Sequence, residues 1–262
     1  MPAVRTHAKT GSRSTPRVIR NVNYLKRRKR LARWSAIIGL ALLGSTFWLL
    51  INPSRILLAY AVLFVGMTLF HRGMQQVAKW NAGNDVRLDT LLRSLGDQYT
   101  LIHYAQVGNR TIEHLLVYPG GVLVLTAKEL PGQVSYRNGR WRKKTGGLSR
   151  LFGMGGPQVG DPSRDTHADL ATLDARLTEA QLEVETDGAI VFLYPTIEID
   201  VEEPDFPVMN GDGLPEYLRH LPADESLQAG DRQALVALLG AGGEPETLQA
   251  PARRRPVKRR AA

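Results

Sequence analysis

Two apolar stretches near the start of the chain, Trp34 to Ile51 and Ile56 to Phe70, constrain the fold more than any other feature, since neither holds a charged side chain. Each is apolar all round rather than along one stripe, so neither has the water-facing side that a helix on a soluble domain needs. At 1.5 Å per residue they make on the order of 25 Å of helix, near the short limit for crossing a bilayer. The connector Asn52-Pro53-Ser54-Arg55 contains a helix breaker and leaves room only for a tight reversal. A two-helix transmembrane hairpin is therefore predicted over residues 34–72, with both of its ends on one side. The basic run Lys26 to Arg33 directly precedes the first helix, whereas the connector carries only Arg55. That asymmetry predicts cytoplasmic termini and a multi-pass location in a cell (inner) membrane. A second apolar segment and the absence of a small-residue cleavage site argue against a removed signal peptide.

The formal net charge of +9 is uneven. Residues 1–33 hold eleven Lys/Arg and residues 251–262 hold six, neither with an acid, leaving 17 Lys/Arg against 25 acids between them. The basicity thus belongs to two tails, and the folded part is acidic. Beside a membrane helix the first tail has a lipid bilayer as its natural anionic partner; the second suits DNA, RNA or lipid. With no cysteine there is no disulfide framework, thiolate nucleophile or Cys-type zinc site. The expected organisation is a basic cytoplasmic tail (1–33), the hairpin (34–72), a cytoplasmic domain (80–245) and a basic C-terminal tail (246–262).

Within the domain, Leu88, Leu91, Leu92 and Leu95 recur at helical spacing, and Tyr99 to Val107 reads as a strand. Leu115 to Tyr118 and Val122 to Thr126 are apolar runs joined by Tyr118-Pro119-Gly120-Gly121, a sequence that predicts a type II turn. The second run is apolar on both faces, the mark of a strand covered on each side. Asn138-Gly139 marks a further hairpin between Gln133–Arg137 and Arg140–Lys143. Residues 145–163 are glycine-rich and read as a loop. A helix from about Arg164 to Glu179, a buried strand over Ala189 to Tyr194, an acidic segment over 196–212, and short helices around Leu214 to His220 and Asp231 to Leu239 complete the pattern. Helices interleaved with such strands predict an α/β domain with a mixed sheet.

The stretch Thr111 to Gly132, TIEHLLVYPGGVLVLTAKELPG, resembles the core of the NERD (nuclease-related) domain, a branch of the PD-(D/E)xK nuclease superfamily. Ile112-Glu113-His114 stands at its first acidic element, Pro119-Gly120-Gly121-Val122 at its turn, and Thr126-Ala127-Lys128 at its E-x-K. Gly83-Asn84-Asp85 and the leucines after it are similar to the family's opening helix, and Asp161-Pro162 with Leu170, Leu173 and Leu177 to a later one. The resemblance implies a restriction-endonuclease-like mixed sheet flanked by helices. It also implies a site in which Asp85 and Glu113 hold Mg2+ or Mn2+ while Glu113, Thr126 and Lys128 occupy the catalytic positions.

Metal-dependent phosphodiester cleavage needs carboxylate oxygens for the ion and a positive group to orient water and stabilise charge. Thr126 departs from that requirement, because a neutral hydroxyl does not replace an ionised ligand. Glu129 follows Lys128, but strand alternation points it to the opposite face; Asp165, at the start of the next helix, is the other candidate acid. A basic patch of Arg137, Arg140, Arg142, Lys143 and Lys144, with Trp141 interleaved, has the composition of a nucleic-acid contact in which a ring stacks on a base. Three readings follow: a degenerate nuclease fold that binds nucleic acid or a protein partner, a weak Mg2+- or Mn2+-dependent nuclease, and a membrane scaffold. Thr126 favours the first.

Overall fold

The computed structural model describes residues 15–81, 83–144, 158–223 and 227–246. Strand β1 (Arg17–Arg20) leads through Asn21 into α1 (Val22–Leu50), a short 3-10 turn, α2 (Ile56–Asn81) and α3 (Asn84–Leu92). There follow β2 (Thr100–Val107), β3 (Arg110–Tyr118), β4 (Gly121–Lys128), β5 (Gln133–Arg137) and β6 (Arg140–Lys144). The rest comprises α4 (Pro162–Glu179), β7 (Thr186–Phe192), β8 (Glu198–Val201), β9 (Val208–Asn210), α5 (Leu214–His220), α6 (Ala229–Leu239) and β10 (Glu244–Glu246).

Helices α1 and α2 are long and apolar enough to cross a membrane. Asn21 caps the first, its side-chain oxygen accepting from the Tyr24 amide at 3.0 Å. What holds the pair together is a seven-residue repeat of small side chains. Ala32, Gly39 and Thr46 on α1, and Ala59, Gly66 and Gly73 on α2, are buried, while Leu57, Phe64, Phe47 and Trp48 point outward. A Cβ added at Gly39 would lie 2.3 Å from the backbone nitrogen of Phe70, and one at Gly73 would lie 2.4 Å from that of Ala36. The backbones approach so closely that only glycine fits at these points, the packing used where apolar solvent offers no hydrophobic drive.

Seven strands among the described residues form one sheet in the order β10-β1-β2-β3-β4-β7-β9, and three form a second in the order β6-β5-β8. In the large sheet β1, β2, β4, β7 and β9 run one way, with β3 and β10 opposed. Alternation sorts their side chains into two cores. Leu101, Leu116, Leu123 and Leu125 pack under α3 and α5, with Leu88, Leu92 and Leu218. Ile102, Leu115, Val117, Val122 and Val124 pack under α4 and α6, with Leu173, Leu177 and Leu235. A third cluster, Val134, Tyr136 and Trp141 against Ile190, Phe192 and Phe206, fixes the small sheet to the large one.

Three expectations need correction. Residues 17–20, assigned to a basic tail, are a strand inside the sheet, because Val18 and Ile19 bury one side chain in each core. Strand β10 reaches residue 246, where the C-terminal tail was expected to begin, and pairs with β1. The turn before β4 is not type II: the positive φ falls at Gly121 (150°), not Gly120. Both glycines are required by space, since a Cβ would come within 2.2 Å of the Pro222 carbonyl oxygen at Gly120 and 2.1 Å of that of Glu185 at Gly121. Residues 1–14, 247–262 and most of the glycine-rich segment (145–157) lie outside the described residues.

Candidate functional site

Strands β3 and β4 pair from Tyr118↔Gly121 to Leu115↔Val124. Beyond that ladder β3 carries Glu113 and β4 carries Thr126, with Lys128 at the end of β4. Helix α4 covers this end. Its N-terminus is fixed by Asp161, whose side chain accepts from the Arg164 amide at 3.1 Å, and by Pro162 in the first turn. The helix thereby delivers Asp165 and Thr166 to β4. The Thr126 and Thr166 hydroxyls are 2.6 Å apart, and Thr166 donates to the Pro162 carbonyl at 2.8 Å. With that proton committed, Thr126 is the donor to Thr166, and the position of the E-x-K acid is filled by a buried neutral hydroxyl pair.

Each charged candidate meets an opposite charge. Lys128 Nζ donates to Asp165 Oδ2 at 2.9 Å, so Asp165 is the acid that meets the lysine. Glu129 instead pairs with Arg87 at 2.8 Å. Glu113 accepts from Lys79 Nζ at 2.6 Å, an ion pair that ties β3 to the end of α2. Asp85 is buried and lies 3.4 Å from the Arg20 guanidinium, which also pairs with Asp89. On α4, one turn past Asp165, Asp169 pairs with Arg110; burial nonetheless raises its carboxyl above the usual range.

Between Asp85 and Glu113 sits Tyr104. It takes φ of 60° inside β2, and the β2–β3 ladder runs His103↔His114 then Ala105↔Ile112, skipping the Tyr104–Glu113 step. A bulky residue in the left-handed region costs about 1–3 kcal/mol. The ring packs on Tyr24 of α1 at 6.0 Å and Trp80 of α2 at 5.8 Å, so the strained residue is the floor on which both long helices stand. Burial first, then the charges of Asp85 and Glu113, raise its phenol far above the ordinary tyrosine value and keep it neutral.

Behind Tyr104 lies a chain of buried polar groups that sequence reasoning missed. Asp89 Oδ1 is 2.9 Å from His103 Nε2, and His103 Nδ1 is 2.8 Å from His114 Nδ1. Burial, and next the neighbouring His103, hold the His114 pKa well below the ordinary value, so it stays a neutral imidazole. Two signals pointed here: Asp85 and Asp89 share a helix face at i, i+4, and His114 stands within the Ile-Glu-His element. Cross-strand register, not sequence spacing, brings the two histidines together.

The basic patch is only partly as expected. Trp141 is buried in the third core, its Nε1 donating to Ser163 Oγ at 2.9 Å and its ring 4.9 Å from Tyr136. It faces inward because strand alternation sends Arg140, Arg142 and Lys144 to the solvent side, so it offers no face to a base. Arg137 is held by Asp200 on β8 and by Glu202 just after it, at 3.1 and 3.3 Å. Arg140, Arg142 and Lys144 form an exposed row along the edge strand β6, and Lys143 is half-buried between them.

The donors do not fit a Mg2+ or Mn2+ site as the resemblance implied. One position is a neutral hydroxyl, Asp85 and Glu113 are engaged by Arg20 and Lys79, and among the described residues no group of three or more His, Cys, Asp or Glu side chains is arranged to hold a metal ion. A cleft of about 260 Å3 between α3 and the ends of β7 and β9 is lined by Val86, Arg87, Leu193 and Asn210, and neither Thr126 nor Lys128 lines it.

A seven-stranded mixed sheet with helices on both faces, a central β-hairpin and a lysine at its end under a helix N-terminus define an α/β protein. Residues 79–193 match the family model of the nuclease-related domain, NERD. No curated protein and no solved structure matches the chain.

Proposed function

We propose that this chain is a membrane-anchored NERD protein whose nuclease-related site binds without hydrolysing, and whose cytoplasmic domain engages nucleic acid through the β6 edge. The observation that carries this reading is the 2.6 Å contact between the Thr126 and Thr166 hydroxyls, which puts a neutral pair where the chemistry needs a carboxylate. Helices α1 and α2 supply the anchor, with both ends on the cytoplasmic side. Arg140, Arg142 and Lys144 repeat every second residue, about 7 Å apart, and can track the phosphates of an extended strand.

The test uses full-length protein in detergent with single- and double-stranded DNA and RNA, in Mg2+ or Mn2+. Binding without cleavage is expected, and replacing all three cations by glutamine should flatten the salt dependence by about two to three counterions. Cleavage by the wild-type chain that Lys128→Ala abolishes would overturn the reading. One observation favours a second reading, weak hydrolysis: Asp165 stands 2.9 Å from Lys128 and could serve as the acid from another element. In that case Asp165→Asn would abolish cleavage as completely as Lys128→Ala.

A further inference from the structure

The two long helices leave the domain from the same sheet edge that carries the candidate site. Strand β1 enters α1 at its C-terminal end, and β2, β4, β7 and β9 run parallel to β1, so their C-terminal ends share that edge. Lys128 ends β4 there, and Glu113 is tied to α2 by Lys79. Both helices are rooted. Asn21 alone separates β1 from α1, the Asn21 amide donates to the His103 carbonyl at 3.1 Å, and Tyr24 and Trp80 pack on Tyr104. A domain held at two points does not hang from a flexible tether.

The helical segment between that edge and the apolar stretches is short and one-signed. Val22 to Arg33 on α1 is twelve residues and His71 to Asn81 on α2 is eleven, about 17–18 Å of helix. From Val22 to Asn81 there is no acidic residue, and Lys26, Arg27, Arg28, Arg30, Arg33 and Arg72 are exposed. The headgroup layer occupies about 5–8 Å on each side of the hydrocarbon. With that depth immersed in headgroups, about 10 Å remains, too little height for a nucleic-acid duplex between membrane and domain.

We propose that the cations from Lys26 to Arg33, with Arg72, form a collar that binds anionic lipid headgroups and holds the sheet edge carrying Lys128 and Glu113 against them. This rests on the reading of α1 and α2 as a membrane anchor. The partner is the negatively charged headgroup layer, chosen by charge complementarity and by the height of the collar. Attraction of this kind is worth about 1 kcal/mol per charge near the surface.

The chain has no cysteine, so single thiols can be placed at will. Asn109→Cys marks the near edge, in the exposed turn after β2, and Glu183→Cys marks the far edge, before β7. Each full-length variant is labelled with a donor fluorophore and reconstituted in phosphatidylcholine vesicles doped with acceptor-labelled phosphatidylglycerol or acceptor-labelled phosphatidylcholine. Transfer severalfold greater from residue 109 than from residue 183 is expected, as is greater transfer to phosphatidylglycerol, with the lipid preference lost in K26Q/R27Q/R28Q/K29Q/R30Q. Equal transfer from the two edges, or to the two lipids, overturns the proposal. So does loss of the phosphatidylglycerol preference on adding an equimolar single-stranded oligonucleotide, which would assign the collar to nucleic acid. Release of the protein from vesicles by alkaline carbonate would instead sink the anchor reading itself.

Discussion

Replacing Arg20 by methionine should destabilise the domain by about 3–5 kcal/mol, the range for removing one partner of a buried ion pair. The size follows from the surroundings. Asp85 is 5% and Asp89 7% exposed, and both face the one guanidinium, whose side chain is 11% exposed. Methionine keeps most of the volume but leaves two carboxylates buried near each other, with His103 still bonded to Asp89. A loss of that size is a large fraction of the 5–15 kcal/mol that holds a typical domain together. Urea unfolding of full-length protein in detergent, followed by far-ultraviolet circular dichroism, would measure it. R20M/D85N/D89N should recover most of the loss, because neutral amides remove the unpaired charge. A cost below about 1 kcal/mol for Arg20→Met, or no recovery in the triple variant, would refute the idea that Arg20 neutralises this pocket.

Gly73→Val should separate α1 from α2, since its Cβ would meet backbone at Ala36; a cost of about 1–3 kcal/mol or more is expected, read as loss of crosslinking between thiols at Ser35 and Leu69 (Ser35 donates to the Leu69 carbonyl at 3.2 Å). Trp141→Phe should lower stability by about 1 kcal/mol or more through the lost bond to Ser163, yet leave oligonucleotide affinity unchanged in a filter-binding assay, as befits a buried ring. Stability should also fall with acid through His114. Its folded pKa is depressed, so above the unfolded value of 6.5 both states are neutral, and below it the unfolded chain takes up a proton that the folded one refuses. The decline opens near pH 6.5, with a slope of up to about 1.4 kcal/mol per pH unit, and should be shallower in His114→Gln; an identical pH profile for that variant would count against it.

The elements set by local pattern were legible in the sequence. The uniform apolarity of residues 34–51 and 56–70, the leucine spacing of α3 and the apolar alternation around Pro119 each determine an element from neighbours close in the chain. Thr126 was legible as the weak point of the site for the same reason, since a motif places it by spacing alone. The pairings were not legible, although Asp165 stood out as a candidate acid from the next helix. Lys79 meets Glu113 from 34 residues away, Lys128 meets Asp165 across 37, and Arg20 meets Asp89 across 69. Such pairings depend on strand order and helix docking, which no short window encodes. Strand β1 was hidden for a related reason: four residues among basic neighbours carry too little apolar pattern to stand out, and their burial comes from being slotted between β2 and β10. Trp141 misled because composition suggested a surface, whereas alternation along β6 decides which side each residue takes.

The placement of β1 ahead of the long helices bears on how the chain matures. During synthesis Val18 and Ile19 leave the ribosome some eighty residues before their partners Leu101 and Ile102, with the whole helical pair inserted between them. If that pair crosses a bilayer twice, β1 and β2 end in the same compartment and the sheet can close. A single crossing would strand them on opposite sides, with Arg20 severed from Asp85 and Asp89 and one position in the sheet left empty. On that reading correct insertion is a precondition of folding, and a misrouted copy would present an unfinished sheet to the proteases that remove such chains.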